Sequence, residues 1–227
     1  MSKLILLWGI RRSGNSAVRN WLAYQFETAH CQTNANTIYF NNGFNPNDLE
    51  EETWTLPNAV VSFEEQPLQT KDWNYQALSS YYKEHHRLVL LRDPYNTFAS
   101  RIKHYDLMSV KGTWIDVDNA TFCWRQYANA YLENPSEYIL YNHFIEDEEY
   151  RKEICERVGG TYSDDTLPYV DDPGGGSSFD GRLYNGRAQE MKVFNRWEEY
   201  ADNAAFRALF TPEIRQLSKE IFDYEPI

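Results

Sequence analysis

Cysteine is scarce in this chain of 227 residues: three are present, Cys31, Cys123 and Cys155. They are far apart and odd in number, and no C-x-x-C pair exists. The sequence therefore supports neither a disulfide framework nor a zinc knuckle, and a reducing, cytoplasmic setting is the simplest expectation. Positive charge is also short. Lys and Arg number 22 against 34 Asp and Glu, a formal net charge of −12. That balance argues against a nucleic-acid partner, which calls for a basic face. It leaves a small anionic ligand open, because such a ligand needs only a local cluster of donors. Long apolar runs are missing as well. Met-Ser-Lys leads into the short run Leu4–Trp8, too short for a leader's hydrophobic region or a membrane span, and no later stretch is longer. What is present suits a packed core: 42% hydrophobic and 16% aromatic residues, on a length that fits one domain with insertions.

Strand and helix patterns alternate. Leu4–Trp8 is apolar throughout and reads as a buried parallel strand. Helix is expected over 15–28, strand over 59–63, helix over 71–86 and strand over 88–91. Asp93-Pro94 is a helix start, with Asp as N-cap and Pro at the first helical position, and that helix should run to about Leu107. Further expectations are helix over 120–132, strand over 138–141, helix over 148–158 and a mostly helical tail over 197–222, restarted at Thr211-Pro212-Glu213. Segments 31–58 and 171–187 read as loop insertions or a flap on a single domain. The sum is an α/β chain with a central parallel sheet flanked by helices, a three-layer arrangement of the P-loop type. Ligands in such sheets sit at the carboxyl ends of the strands.

Gly9-Ile10-Arg11-Arg12-Ser13-Gly14-Asn15-Ser16 follows the first strand and opens the first helix. This is the frame of a phosphate-binding loop, G-x-x-x-x-G-K-[ST], in the right place. Asn15 replaces the lysine, and a cation stands three residues earlier at Arg12. The loop is expected to bind a phosphate-like anion through its backbone N–H groups, the Ser16 hydroxyl and Arg12. The plain alternative is a tight strand–helix turn with solvated arginines.

Arg92 ends another strand, and Asp93, Asn96, Thr97 and Ser100 share one face of the helix behind it. Arg92 and Ser100 make a second candidate anion site; the plain alternative is a capped helix whose arginine pairs with a carboxylate. Two such sites side by side suit a ligand with phosphate at both ends.

Both segments resemble those of sulfotransferases. Ile10–Ser16 is similar to that family's 5′-phosphosulfate loop, and Leu91-Arg92-Asp93-Pro94 with Ser100 is similar to its 3′-phosphate motif, arginine and serine eight residues apart. Tyr138–Arg157, Phe194-Asn195-Arg196-Trp197 and Thr211-Pro212-Glu213 echo later segments more loosely. The resemblance implies 3′-phosphoadenosine 5′-phosphosulfate (PAPS) as sulfuryl donor, the 3′,5′-bisphosphate (PAP) as product, and Arg11, Arg12, Ser13, Gly14, Asn15, Ser16, Arg92 and Ser100 as donor contacts. It implies no metal, and an acceptor that is a small molecule, lipid, carbohydrate or peptide. Gly186 and Arg187 resemble the loop that closes on the 3′-phosphate, with Gly174–Ser178 and Arg182 nearby.

In that family the base lies just past the second strand. Glu65 falls there when the register is set on Pro67-Leu68 and is the expected base; Glu64 falls there on another register, and alternation along a strand would turn only one of them to the pocket. His104, one turn beyond Ser100, and His143 are rival bases. Two other readings remain at this stage: a nucleotide kinase or NTPase with a degenerate loop, and a catalytically inactive nucleotide-binding interaction module.

Overall fold

A computed structural model of the chain describes residues 2–26, 30–32, 58–65, 68, 82–107, 114–170 and 176–227, and the side chains among these except those of 30–32 and 105–118. Five parallel strands, β1 (Lys3–Gly9), β2 (His30–Gln32), β3 (Asn58–Glu64), β4 (Glu84–Leu91) and β5 (Tyr138–Leu140), form one sheet in the order β2-β3-β1-β4-β5. The register sets Gly9 between Glu64 and Leu90, so β1, β3 and β4 finish on one rim.

Helices cover both faces. They are α1 (Asn15–Tyr24), α2 (Pro94–Leu107), α3 (Trp114–Glu133), α4 (Tyr141–Glu146), α5 (Glu148–Val158), α6 (Ala204–Ala208) and α7 (Pro212–Phe222). Ile5, Leu7, Val60 and Leu90 pack toward Trp21, Phe144 and Ile154 of α1, α4 and α5. Leu4, Leu6, Trp8, Val61 and Phe63 pack toward Phe98, Trp124, Phe206 and Ile214 of α2, α3, α6 and α7. All of Leu4–Trp8 is fully buried. That is why β1 reads as a continuous apolar run: alternate side chains feed two cores, so neither parity is polar.

Caps follow the sequence cues. Asp93 Oδ1 accepts from the Asn96 backbone N–H at 2.9 Å, and Thr211 caps α7 with Pro212 behind it. α1 is anchored from its far side: Trp21 Nε1 donates to Asp164 Oδ1 at 2.9 Å, and Arg151 donates to the same carboxylate.

Several boundaries differ from the sequence expectation. His85 and His86 lie in β4, not in a helix ending at 86; residues 71–81 fall outside the description. The strand reaches them because β1 pairs with β4 from Lys3 onward, and pairing overrides the polar look of Glu84–Arg87. His30–Gln32 adds an edge strand where loop was expected from residue 31. Helix α3 begins at Trp114 instead of 120, and α1 ends at Tyr24 instead of 28. Tyr141 opens a helix rather than closing a strand. The tail is broken into a 3-10 turn, Arg196–Tyr200, and the helices α6 and α7.

Candidate functional site

The rim where β1, β3 and β4 finish holds both anion motifs. Behind Gly9, Ser13 closes the turn by donating its N–H (3.1 Å) and its hydroxyl (2.6 Å) to the Ile10 carbonyl. Arg12 and Gly14 both take left-handed backbone, φ 68° and 101°. Gly14 is required twice over: a Cβ there would stand 2.1 Å from the Tyr141 ring. Gly14 is also the N-cap of α1, which has no side-chain cap and no acidic residue in its first turn. The helix therefore starts with N–H groups and the positive end of its dipole directed at the loop. Ser16, half-buried, sits in that first turn.

Asn15 does not imitate the missing lysine. Its buried amide donates to the Ile10 carbonyl at 2.9 Å and to Glu64 Oε1 at 3.0 Å. Only its backbone N–H is left to serve an anion. Glu64, last residue of β3, faces the α1 side with Val60 and Ser62. Glu65 breaks the strand alternation at φ 59°, its N–H bound to the Gly9 carbonyl at 2.9 Å. Both carboxylates thereby reach one guanidinium: Arg11 Nε lies 3.7 Å from Glu64 and 3.6 Å from Glu65. The alternation rule expected one of the two to turn away, and the left-handed residue cancels it. Glu65 also pairs with the fully buried Arg101 of α2. His104 stands one turn further along α2. Burial first, then the charges of Arg12, Arg11 and Arg101, hold its imidazole below the ordinary value of 6.5, so it is neutral at pH 7.

Arg92 is buried at the end of β4. Its Nη1 donates to the Arg12 carbonyl at 3.2 Å, its Nη2 donates to the Val193 carbonyl, and its guanidinium lies 5.0 Å above the Tyr141 ring. Beside it stands Arg196, from the Phe194–Trp197 segment. Arg196 donates to Ser100 Oγ at 3.1 Å and to Ser177 Oγ at 2.9 Å, and its backbone N–H donates to Asn96 Oδ1 at 2.9 Å. Burial first, then the charges of Arg92 and Arg12, pull its pKa down to about 10; it remains a cation at pH 7. Arg12 itself reaches the Gly176 carbonyl at 3.3 Å. Three guanidiniums thus concentrate positive charge at the rim of an acidic protein.

Two of these groups have spare donors. Nε of Arg92 and Nε of Arg196 are buried without a hydrogen-bond partner among the described residues; the Asp93 carboxylate stands 4.0 Å from the Arg92 Nε, an ion pair beyond hydrogen-bond reach. Leaving a buried donor unpaired costs about 1–3 kcal/mol, so an oxyanion with several acceptor atoms suits this seam.

The structure does not bring every sequence candidate here. Gly186 and Arg187 lie in an exposed turn, where Arg187 pairs with Glu190 at 3.2 Å and covers the Tyr184 ring. Arg182 is exposed. His143 is exposed on α4 beside Tyr150, while its neighbour Asn142 bonds Asp93. Of the expected closing segment, Gly176 and Ser177 touch the arginines, and 171–175 fall outside the description. Sequence reasoning does not single out Arg196 or Arg101 as candidates. The signal for Arg196 was its place in Phe194–Trp197, already noted as an echo. Arg101 was visible nine residues after Arg92, on a helix side the motif does not mark. Among the described residues, no cluster of three or more His, Cys, Asp or Glu is placed to hold a metal ion, and no helix is long and apolar enough to cross a membrane.

No family model matches the chain, and the search of curated proteins finds no match. Among solved structures, the chain is similar to the sulfotransferase domain from the olefin synthase of Synechococcus PCC 7002, at 12% identity and a TM-score of 0.59, over 100% of this chain and 96% of that one. The fold is therefore a sulfotransferase-like α/β arrangement: a central parallel sheet flanked by helices, with the loop and arginine seam at its carboxyl rim.

Proposed function

We propose that the protein transfers a sulfuryl group from PAPS to an acceptor hydroxyl or amine. The observation that carries this reading is the bond from Arg92 to the Arg12 carbonyl, which joins the two anion motifs into one seam. Arg12 and the N–H groups at the start of α1 would hold the 5′ end of the donor. Arg92, Arg196 and Ser100 would hold its 3′-phosphate. When bound, the donor supplies an activated sulfuryl group and departs as the bisphosphate. Fixed donors that meet developing negative charge are worth about 10²–10³ in rate each, which is the part assigned to Arg12.

Glu64 is the preferred proton acceptor. Its carboxylate is oriented by Asn15 and stands at the mouth of the loop, whereas Glu65 is committed to Arg101. His104, neutral and half-buried, is the second choice. Transfer to a hydroxyl needs such a group within hydrogen-bond reach of the acceptor proton.

Calorimetry and thermal shift with PAP, with adenosine 5′-phosphate and with ATP–Mg²⁺ test the donor assignment. Selective stabilisation by PAP is expected. Stabilisation by ATP–Mg²⁺ alone would identify a nucleotide kinase, and PAP binding with no transfer from PAPS across a broad acceptor panel would identify a non-catalytic module.

A further inference from the structure

Arg196 meets a third group besides the two serine hydroxyls. Its Nη2 lies 3.6 Å from Oδ2 of Asp180, and the same Oδ2 accepts from Ser177 Oγ at 2.9 Å. Asp180 is held in this place by a tight turn. Ser177 and Gly181 pair through their backbone at 2.9 Å in each direction, and the Asp180 N–H donates back to Ser177 Oγ at 3.2 Å. The Phe179 ring, 5.2 Å from the Arg196 guanidinium, completes the cage. Asp180 and Arg196 together line an open cleft of about 260 Å³ with Phe179, Lys192, Glu198 and Glu199, so the pair is reachable from solvent, and of the three carboxylates there Asp180 is the one that meets the Arg196 guanidinium.

We infer that Asp180 is a built-in counter-anion of the 3′-phosphate seat, which weakens donor and product binding by placing a fixed carboxylate beside Arg196. This rests on the donor reading above. A nearly buried guanidinium next to two others would otherwise stand with only neutral hydroxyls for company, and an acidic neighbour relieves that repulsion in the free protein. The same carboxylate then opposes a phosphate dianion arriving at Arg196. At about 5 Å separation and with the full screening of bulk water, one fixed negative charge against a dianion corresponds to roughly a tenfold change in affinity, and weaker screening enlarges it. Weaker retention of the bisphosphate favours turnover wherever product release limits the rate, as it does in many enzymes.

The test is calorimetric titration of the full chain and of Asp180→Asn with PAP and, separately, with adenosine 5′-phosphate, which lacks the 3′-phosphate. Asn retains an acceptor for Ser177, and Asp180→Ser serves if Asn does not fold. Expected is a roughly tenfold tighter Kd for PAP, with the Kd for adenosine 5′-phosphate unchanged. Unchanged or weaker PAP binding in the variant overturns the inference while leaving the donor reading intact. An equal gain for both nucleotides also overturns it, since the charge would then act without reference to the 3′ position. A wild-type protein that fails to prefer PAP over adenosine 5′-phosphate removes the donor reading itself, and the inference with it.

Discussion

Arg92, at the end of β4, donates a hydrogen bond from Nη1 to the backbone carbonyl of Arg12, 3.2 Å away. A side chain of one motif thus fastens the backbone of the other. The fork geometry matters, since Nη2 serves the Val193 carbonyl at the same time. Lysine carries the charge but not the fork. Arg92→Lys should lower both the melting temperature and the affinity for PAP. Arg92→Ala should cost about 2–5 kcal/mol of PAP binding, the range for truncating one member of a buried charge contact. Calorimetry reads this directly, and a lysine variant with wild-type affinity would show that charge alone suffices.

Gly14 carries the turn into α1 at φ 101°, against the Tyr141 ring. Gly14→Ala forces a Cβ into a sparsely populated backbone region, worth about 1–3 kcal/mol, and into the ring. Tyr141→Ala removes the second cost only. Denaturant unfolding of the two single variants and the double should show the double less destabilised than the sum. Strict additivity would mean that the ring is not what confines Gly14.

The parts of the fold that the sequence displayed are those fixed by local rules. β1 was legible because a strand buried on both faces has no polar parity, and α2 and α7 because Asp93-Pro94 and Thr211-Pro212 are start signals in themselves. β2 and the first half of β4 were not, because His30–Gln32 and Glu84–Arg87 become strands by pairing with β3 and β1, a non-local cause. The same division runs through the candidate site. Arg12, Arg92 and Ser100 stand out by spacing. Arg196 shows only as part of the loose echo Phe194–Trp197, because its partner Ser100 lies 96 positions away in the chain and spacing does not record that. Nor could spacing show that Glu65 departs from its strand, since that depends on the left-handed turn and on the Gly9 carbonyl it serves.

Glu64 and Glu65 should separate by what their loss affects. Glu65→Gln removes the carboxylate that faces buried Arg101 and should destabilise the fold by about 3–5 kcal/mol, as breaking a buried pair does. Glu64→Gln keeps an amide oxygen for Asn15 and should leave the melting temperature near wild type. Its transfer rate should fall by roughly 10²–10⁴, the usual contribution of a general base. Melting curves and single-turnover transfer from PAPS check both. The reverse pattern would move the base to Glu65.

His104 gives the protein a pH response whose sign is fixed by its surroundings. Burial and three arginines hold its folded pKa below 6.5. As pH falls through 6.5 the unfolded chain therefore takes up its proton first. Stability is then lost with falling pH, from about 6.5 down to the folded value, and is flat above that window. His86 adds a loss of the same sign, its pKa lowered chiefly by burial. His104→Gln should therefore reduce the slope of melting temperature against pH in the window below about 6.5 without abolishing it. An anion seated at Arg12 offsets the repulsion from that guanidinium, so PAP should raise the His104 pKa. Imidazole proton shifts followed by NMR across the titration, with and without PAP, measure this. A value that stays fixed on binding would place the ligand's charge away from this face of α2, and would count against His104 as a group that exchanges protons during transfer.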